Sequence, residues 1–230
     1  MTVRLALAAM VAVGVPGVQA GESCPANPPQ LPLHLPHLRA ALAHGEEAVI
    51  VALGSSSTSG AMATSSARSY PAELQAALAA ALPDNHVAVL NRGIGGQDAP
   101  REVGRIEADV IAVRPQLVIW QVGANAALRA ADPLAFRHLV GVGIRRMQAS
   151  GIDVVLMDNQ RSPRILATRE DVEFDNALAD LAATTGAGLF SRDRLMRRWE
   201  EDGAPSATFI ATDGLHHNDL GYLCVARALA

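Results

Sequence analysis

The sequence predicts a single α/β domain, a three-layer sandwich with a parallel sheet of about five strands between two layers of helices. Three observations predict it. Short apolar runs of strand length alternate with longer stretches of helical spacing. The runs are almost wholly apolar, as expected of strands buried on both faces. The 230 residues suit one sizeable domain and are short for two, and no internal repeat or linker divides them.

Residues 48–53 (AVIVAL) read as the first strand, with a β-branched centre. A helix begins at Ser69-Tyr70-Pro71, with Pro71 near its first turn, and runs to about Leu82, where Pro83-Asp84-Asn85 ends it. Residues 86–90 (HVAVL) form the second strand. Val103, Ile106, Val110 and Val113 have helical spacing. Residues 117–122 (LVIWQV) are the third strand. Asp132-Pro133 caps a helix that reaches Ala149, with Gly151 just past its end. Residues 153–157 are the fourth strand, 172–185 a helix closed by Gly186, 188–190 a short fifth strand and 220–230 a terminal helix.

The amino end reads as an export signal. Arg4 supplies the positive start, residues 5–15 are apolar or small, and Val18-Gln19-Ala20 fits a cleavage site. The run falls short of the about 20 apolar residues that span a bilayer. The expected organisation is a signal peptide at 1–20, a proline-rich extended lead-in at 21–45 and the α/β domain at 46–230. The mature protein is then exported, to a periplasm or the medium. Cys24 and Cys224 stand near the two ends of the mature chain. In an oxidising compartment such a pair closes a disulfide; the alternative is two separate buried thiols.

Half the chain is apolar, 18% is charged and the formal net charge is −4. That balance is globular, with no clustered basic face for nucleic acid. Aromatics are only 3%, too few for a stacking platform. No CxxC or Cys/His cluster occurs, so no metal is expected, and nothing calls for a cofactor.

In an open α/β sheet the site lies beyond the carboxyl ends of the strands. Gly54-Ser55-Ser56-Ser57-Thr58-Ser59-Gly60 follows the first strand, Asn91-Arg92-Gly93-Ile94-Gly95-Gly96 the second and Gly123-Ala124-Asn125 the third. Neither glycine-rich loop matches a nucleotide site. Five residues separate Gly54 from Gly60 with no lysine after them, and Gly93-Ile94-Gly95 lacks the third glycine of GxGxxG. Thr58 takes the last glycine position of a GxSxG elbow. Asp213 stands three residues before His216. In a tight turn that spacing lets a carboxylate fix an imidazole as a base able to activate a serine. The bland alternative is a helix-capping aspartate beside two surface histidines.

Taken together these segments resemble the SGNH hydrolases, often called GDSL esterases. The family's first block matches Gly54-Ser55-Ser56-Ser57, the second falls at Gly93, the Gly-x-Asn block is Gly123-Ala124-Asn125 and Asp-x-x-His runs from Asp213 to His216. The blocks come in the family's order over residues 48–230, and Ser55 replaces the usual aspartate. The resemblance implies the same three-layer fold with a flavodoxin-like sheet. It implies a Ser56–His216–Asp213 triad cleaving esters through an acyl-enzyme. The oxyanion donors would be the N–H groups of Ser56 and Gly93 and the amide of Asn125. The expected substrate is a small-molecule or glycan ester, with short acyl groups such as O-acetyl. A lysophospholipase or thioesterase, and a non-catalytic carbohydrate-binding module, are the alternatives.

Other polar residues are weighed separately. Asp158 to Arg161 follow the fourth strand and either line the pocket or make a turn. Trp120 is expected in the core and His217 as a solvated neighbour of His216. Arg192, Arg194, Arg197 and Arg198 are expected on a solvated helix face, and His34, His37 and His44 show no ligand spacing.

Overall fold

The computed structural model describes residues 23–27, 33–168 and 171–230. The expected signal peptide lies outside them. The elements in order are α1 (Pro36–Ala43), β1 (Ala48–Gly54), α2 (Ser56–Ser59), α3 (Tyr70–Ala81), β2 (Val87–Gly93), α4 (Ala99–Gly104), α5 (Ile106–Asp109), β3 (Leu117–Gln121) and α6 (Ala124–Leu128). There follow α7 (Pro133–Ala149), β4 (Asp153–Met157), α8 (Pro163–Leu166), α9 (Asp171–Thr185), β5 (Gly188–Phe190), α10 (Arg192–Glu201) and α11 (Asp219–Leu229).

The strands form one parallel sheet in the order β2-β1-β3-β4-β5. Because successive side chains point to opposite faces, each strand feeds two cores. Val51, Leu53, Val118, Trp120 and Leu156 pack with α4, α5, α6, α7 and α9. Ile50, Ala52, Ile119, Val155 and Met157 pack with α1, α3, α10 and α11. The approach can be close: a Cβ on Gly143 of α7 would lie 2.6 Å from the Trp120 ring. Trp120 is core, as its place in an apolar strand implies.

Helices α7 and α11 start on capping side chains. Asp132 accepts from the Leu134 amide at 2.9 Å and Pro133 opens α7, while Gly151 beyond its end takes φ +74°. Asn218 caps α11 through the Gly221 amide at 2.9 Å. Order β2-β1-β3 puts the loops after three strands side by side, which is what the site needs.

Two segments differ from expectation. The lead-in contains α1, started by Pro36 and held to the sheet by the Leu38 amide on Asp153 Oδ2 at 3.0 Å. The helix expected over 103–113 is broken at Arg105 and again at Val110, giving α4, α5 and a 3₁₀ turn, Ile111–Val113. Cys24 and Cys224 are disulfide-bonded, closing the chain across 200 residues. No helix among the described residues is long and apolar enough to cross a membrane.

Candidate active site

β1 runs straight into the nucleophile candidate. Gly54 ends the strand, Ser55 starts the turn, and Ser56 is the first residue of the one-turn helix α2. Gly60, at φ +88°, ends that helix. Helical geometry leaves the first amide, that of Ser56, without an intrahelical partner.

The opposite side of the site is the turn before α11. Gly214 sits at φ +67° and its amide bonds to Ala211 O at 3.0 Å, while the Ala211 amide bonds to His216 O at 2.8 Å. The turn brings Asp213 back onto His216. Asp213 Oδ2 lies 2.5 Å from His216 Nδ1, and Asp213 Oδ1 accepts the amides of Leu215 and His216, each at 3.0 Å. Burial raises the Asp213 carboxyl, but these hydrogen bonds outweigh it and hold the group below its ordinary range. His216 Nε2 is then 2.7 Å from Ser56 Oγ. Three groups expected from two distant segments meet in one hydrogen-bonded line.

The glycine loops are placed beside Ser56 by their own bonds. Asn91 Nδ2 donates to Thr58 O at 2.9 Å, tying β2 to α2. A Cβ on Gly93 would overlap the Ser59 nitrogen, so only glycine lets the two elements meet. The Gly93 amide is itself taken by Asn91 Oδ1 at 2.9 Å. Asn125 Nδ2 donates to Gln97 O at 2.7 Å, which sets the Gly95-Gly96 turn next to it.

Two of three supporting residues are not singled out by the sequence; the third, Gln160, falls in the stretch 158–161 expected to line the pocket or make a turn. Gln121, at the end of β3, receives the Ser55 amide at 3.1 Å on its side-chain oxygen. Arg105 donates to Gly54 O at 2.9 Å and to Gln97 Oε1 at 2.6 Å. The helix break at Arg105 aims its guanidinium there. Gln160 holds the turn that carries Asp213 and His216 by donating to Leu215 O at 2.7 Å. Gln121 left a trace, a polar residue inside an apolar strand; Arg105 left none.

Of residues 158–161, Gln160 supports the turn, Asp158 and Arg161 bond to α10, and a Cβ on Gly123 would lie 3.2 Å from Asn159 Oδ1. Asp158 Oδ1 accepts the amide of Arg192, and Arg161 pairs with Asp193 at 2.9 Å and Glu200 at 3.0 Å. The Asn159 amide donates to Asp175 Oδ1 at 3.3 Å. Burial raises both the Asp158 and Asp175 carboxyls.

Two expectations are corrected. His217 is fully buried rather than solvated; its Nδ1 bonds to Phe209 O at 3.1 Å, and burial with the nearby Arg192 charge lowers its pKa to about 3. Arg192 is buried as well, bonded through Nε to Asp158 O at 2.7 Å. It shares the inward stripe of Leu195, Met196 and Trp199, while Arg194, Arg197 and Arg198 are exposed as expected. Among the described residues no group of three or more His, Cys, Asp or Glu is arranged to hold a metal.

The chain brings Ser56, on the turn after β1, against His216, on the loop before α11. It belongs to the non-GDSL lipase-like family, whose profile matches residues 23–230. The departure of Gly54-Ser55-Ser56-Ser57 from Gly-Asp-Ser-Leu is in keeping with that description. Solved structures share the fold. A two-domain esterase active on acetylated mannans superposes with a TM-score of 0.72 at 23% identity, over 85% of this chain and 51% of that one. The chain therefore spans about half of that esterase. Axe2, an acetylxylan esterase from Geobacillus stearothermophilus, gives 0.67 at 19%, over 79% and 92%. A lipase/acylhydrolase from Enterococcus faecalis gives 0.69 at 20%, over 79% and 93%. No curated protein sequence matches significantly.

Proposed function

We propose that the protein is a serine esterase that hydrolyses carboxylic esters with short acyl groups through Ser56, His216 and Asp213. The observation that carries this reading is the 2.7 Å contact between Ser56 Oγ and His216 Nε2, backed by Asp213 on the far nitrogen. A serine hydroxyl is a weak nucleophile until a base takes its proton. In the proposed reaction Ser56 Oγ attacks the ester carbonyl while its proton passes to His216. His216 returns the proton to the departing alcohol, leaving an acyl-enzyme. Water, deprotonated by His216, then releases the acid and restores Ser56. Asp213 keeps the imidazole in the right tautomer and stabilises its charged form.

The oxyanion needs donors aimed at the point where charge develops. We assign the Ser56 amide and the Asn125 side chain to it. Gly93 joins them only by giving up Asn91 Oδ1; the amides of Gly95 and Gly96, in the turn beside Asn125, are the alternative third donor.

The neighbours that act on acetylated mannan and xylan support an O-acetyl substrate. The chain would have to grip a sugar by hydrogen bonds, because its four Phe, two Trp and two Tyr are all buried. The same fact argues against a carbohydrate-binding module, which relies on stacking. The disulfide supports an oxidising, exported setting.

A fluorophosphonate probe tests the enzyme reading: labelling should map to Ser56 and vanish in Ser56→Ala. Acetyl, butyryl and palmitoyl nitrophenyl esters, run beside acetylated glycans, test the substrate. Preference for palmitate would favour a lysophospholipase or thioesterase and overturn the short-acyl assignment.

A further inference from the structure

Gln121 is a polar residue where the fold has no need of one. The other four residues of β3, Leu117 to Trp120, are apolar, and Gln121 itself is only 1% exposed. Burying an amide is unfavourable unless its polar atoms find partners. The partners it finds are those of the nucleophile turn. Its Oε1 accepts the Ser55 amide at 3.1 Å, the Ser55 hydroxyl at 3.1 Å and the Thr58 hydroxyl at 3.2 Å.

The backbone N–H settles which end of the amide faces the turn, since it can only donate and must meet the oxygen. The contact is also tight. A Cβ on Gly54 would lie 2.9 Å from both Gln121 Oε1 and Gln121 O, so glycine is what allows the strand end to press on this side chain. One oxygen thus grips the residue before Ser56 and the residue two after it. Gln121 makes no hydrogen bond to His216 or Asp213; whatever it does for Ser56 passes through the turn.

We propose that Gln121 is a positioning residue for the nucleophile. Its side-chain oxygen fixes the rotation of the Ser55–Thr58 turn, and so holds Ser56 Oγ at its 2.7 Å contact with His216 Nε2. This rests on the serine-esterase reading above. A turn released from that oxygen would still place Ser56 near His216 but over a wider range of angles. The chemical step would suffer and substrate binding would not.

The test compares Gln121→Met, which keeps the length and loses the acceptor, with Gln121→Glu, which keeps an acceptor oxygen. The readouts are kcat and KM on nitrophenyl acetate, the rate of fluorophosphonate capture of Ser56, and Tm. A misplacement of about 1 Å costs about 10²-fold in rate, so Gln121→Met should lower kcat and the capture rate by about 10- to 100-fold with KM nearly unchanged. Gln121→Glu should recover most of that loss. Wild-type kcat in Gln121→Met would overturn the proposal. So would equal losses in Met and Glu variants that track Tm, which is the mark of a residue serving only the fold. Should Gln121→Met not fold, the double variant Ser55→Ala/Thr58→Val decides. It strips two of the three donors from the oxygen and should slow capture of Ser56 several-fold; unchanged capture overturns the proposal. A wild-type chain that neither cleaves an ester nor reacts at Ser56 would overturn the esterase reading itself, and this proposal with it.

Discussion

His216 and His217 are neighbours in the chain and face opposite ways. His217 pairs with Ile210 in a short antiparallel bridge, so the backbone there is extended and successive side chains alternate. His216 therefore turns outward to Ser56, while His217 enters the core, edge-on to Tyr222 at 5.5 Å between ring centres.

The two histidines should consequently fail in different ways. His216→Ala is expected to lower kcat by roughly 10³-fold or more while leaving stability near wild type. His217→Ala is expected to retain most of kcat and to lose about 1–3 kcal/mol of stability, because it empties a buried, hydrogen-bonded position. Initial rates and urea unfolding on the same preparations separate the two. Equal loss of kcat in both variants would contradict the assignment of the base.

Glu102 should make stability depend on pH. It is buried beneath Trp120, whose Nε1 donates to it at 2.8 Å, and burial pushes its pKa up to about 7. The folded state therefore holds a proton that the unfolded state releases near pH 4.5. Stability is unaffected by this group below that value, falls as pH rises towards 7, and stays reduced above. Glu102→Gln keeps the acceptor for Trp120 and removes the charge. It should leave Tm unchanged at about pH 4 and raise stability at about pH 8 by about 3–4 kcal/mol, since each tenfold change in proton affinity is worth about 1.4 kcal/mol. Thermal melts of the two proteins across pH check the sign; a gain confined to acid would refute it.

Gly93→Ala should be far more damaging than an added methyl suggests. Its Cβ would land on the Ser59 nitrogen and 2.5 Å from the Thr58 carbonyl carbon, on the helix that carries Ser56. Displacing α2 by even about 1 Å should cost roughly 10²-fold in kcat/KM. Gly104→Ala, where the added carbon meets nothing within 4 Å, is the control and should stay near wild type. Esterase rates and a crystal structure of the Gly93→Ala variant measure the displacement.

The disulfide should matter for stability and little for rate. Replacing Cys24 and Cys224 together by serine is expected to cost about 2–5 kcal/mol, since the bridge closes a long loop in the unfolded chain. The kcat of the folded variant should stay within about twofold of wild type, the sulfur atoms having no contact with Ser56, Asp213 or His216. Denaturant unfolding, with and without reductant, gives the first number and initial rates the second.

Much of the fold was legible because buried parallel strands announce themselves as unbroken apolar runs. Asp153–Met157 and Gly188–Phe190 stand where the runs stand, and Pro133–Ala149 begins and ends at its own capping residues. The candidate site was legible in part because Ser56, Gly93 and Asn125 stand at strand ends in a fixed order. What stayed hidden depends on side-chain direction. Arg192 reads like Arg194, Arg197 and Arg198 in a charged segment, although it sits three and four residues before Leu195 and Met196 on the buried stripe. His217 reads like a surface residue because the bridge that turns it inward pairs it with Ile210, outside any run long enough to read as a strand. Helix α1 was masked by the prolines around it, of which Pro36 starts the helix instead of breaking it.

Ser56 and His216 lie 160 residues apart in sequence, and both fall between the two cysteines that close the chain. A protease that nicks any one loop between Cys24 and Cys224 therefore cannot set the two pieces adrift. They remain covalently joined, and where the cut falls between β1 and β5, strands from both are still paired in one sheet. The nicked protein would run as a single band without reductant and as two with it. Where the cut falls on a surface loop away from the turns that carry Ser56 and His216, it should still turn over substrate, a two-chain enzyme made from one.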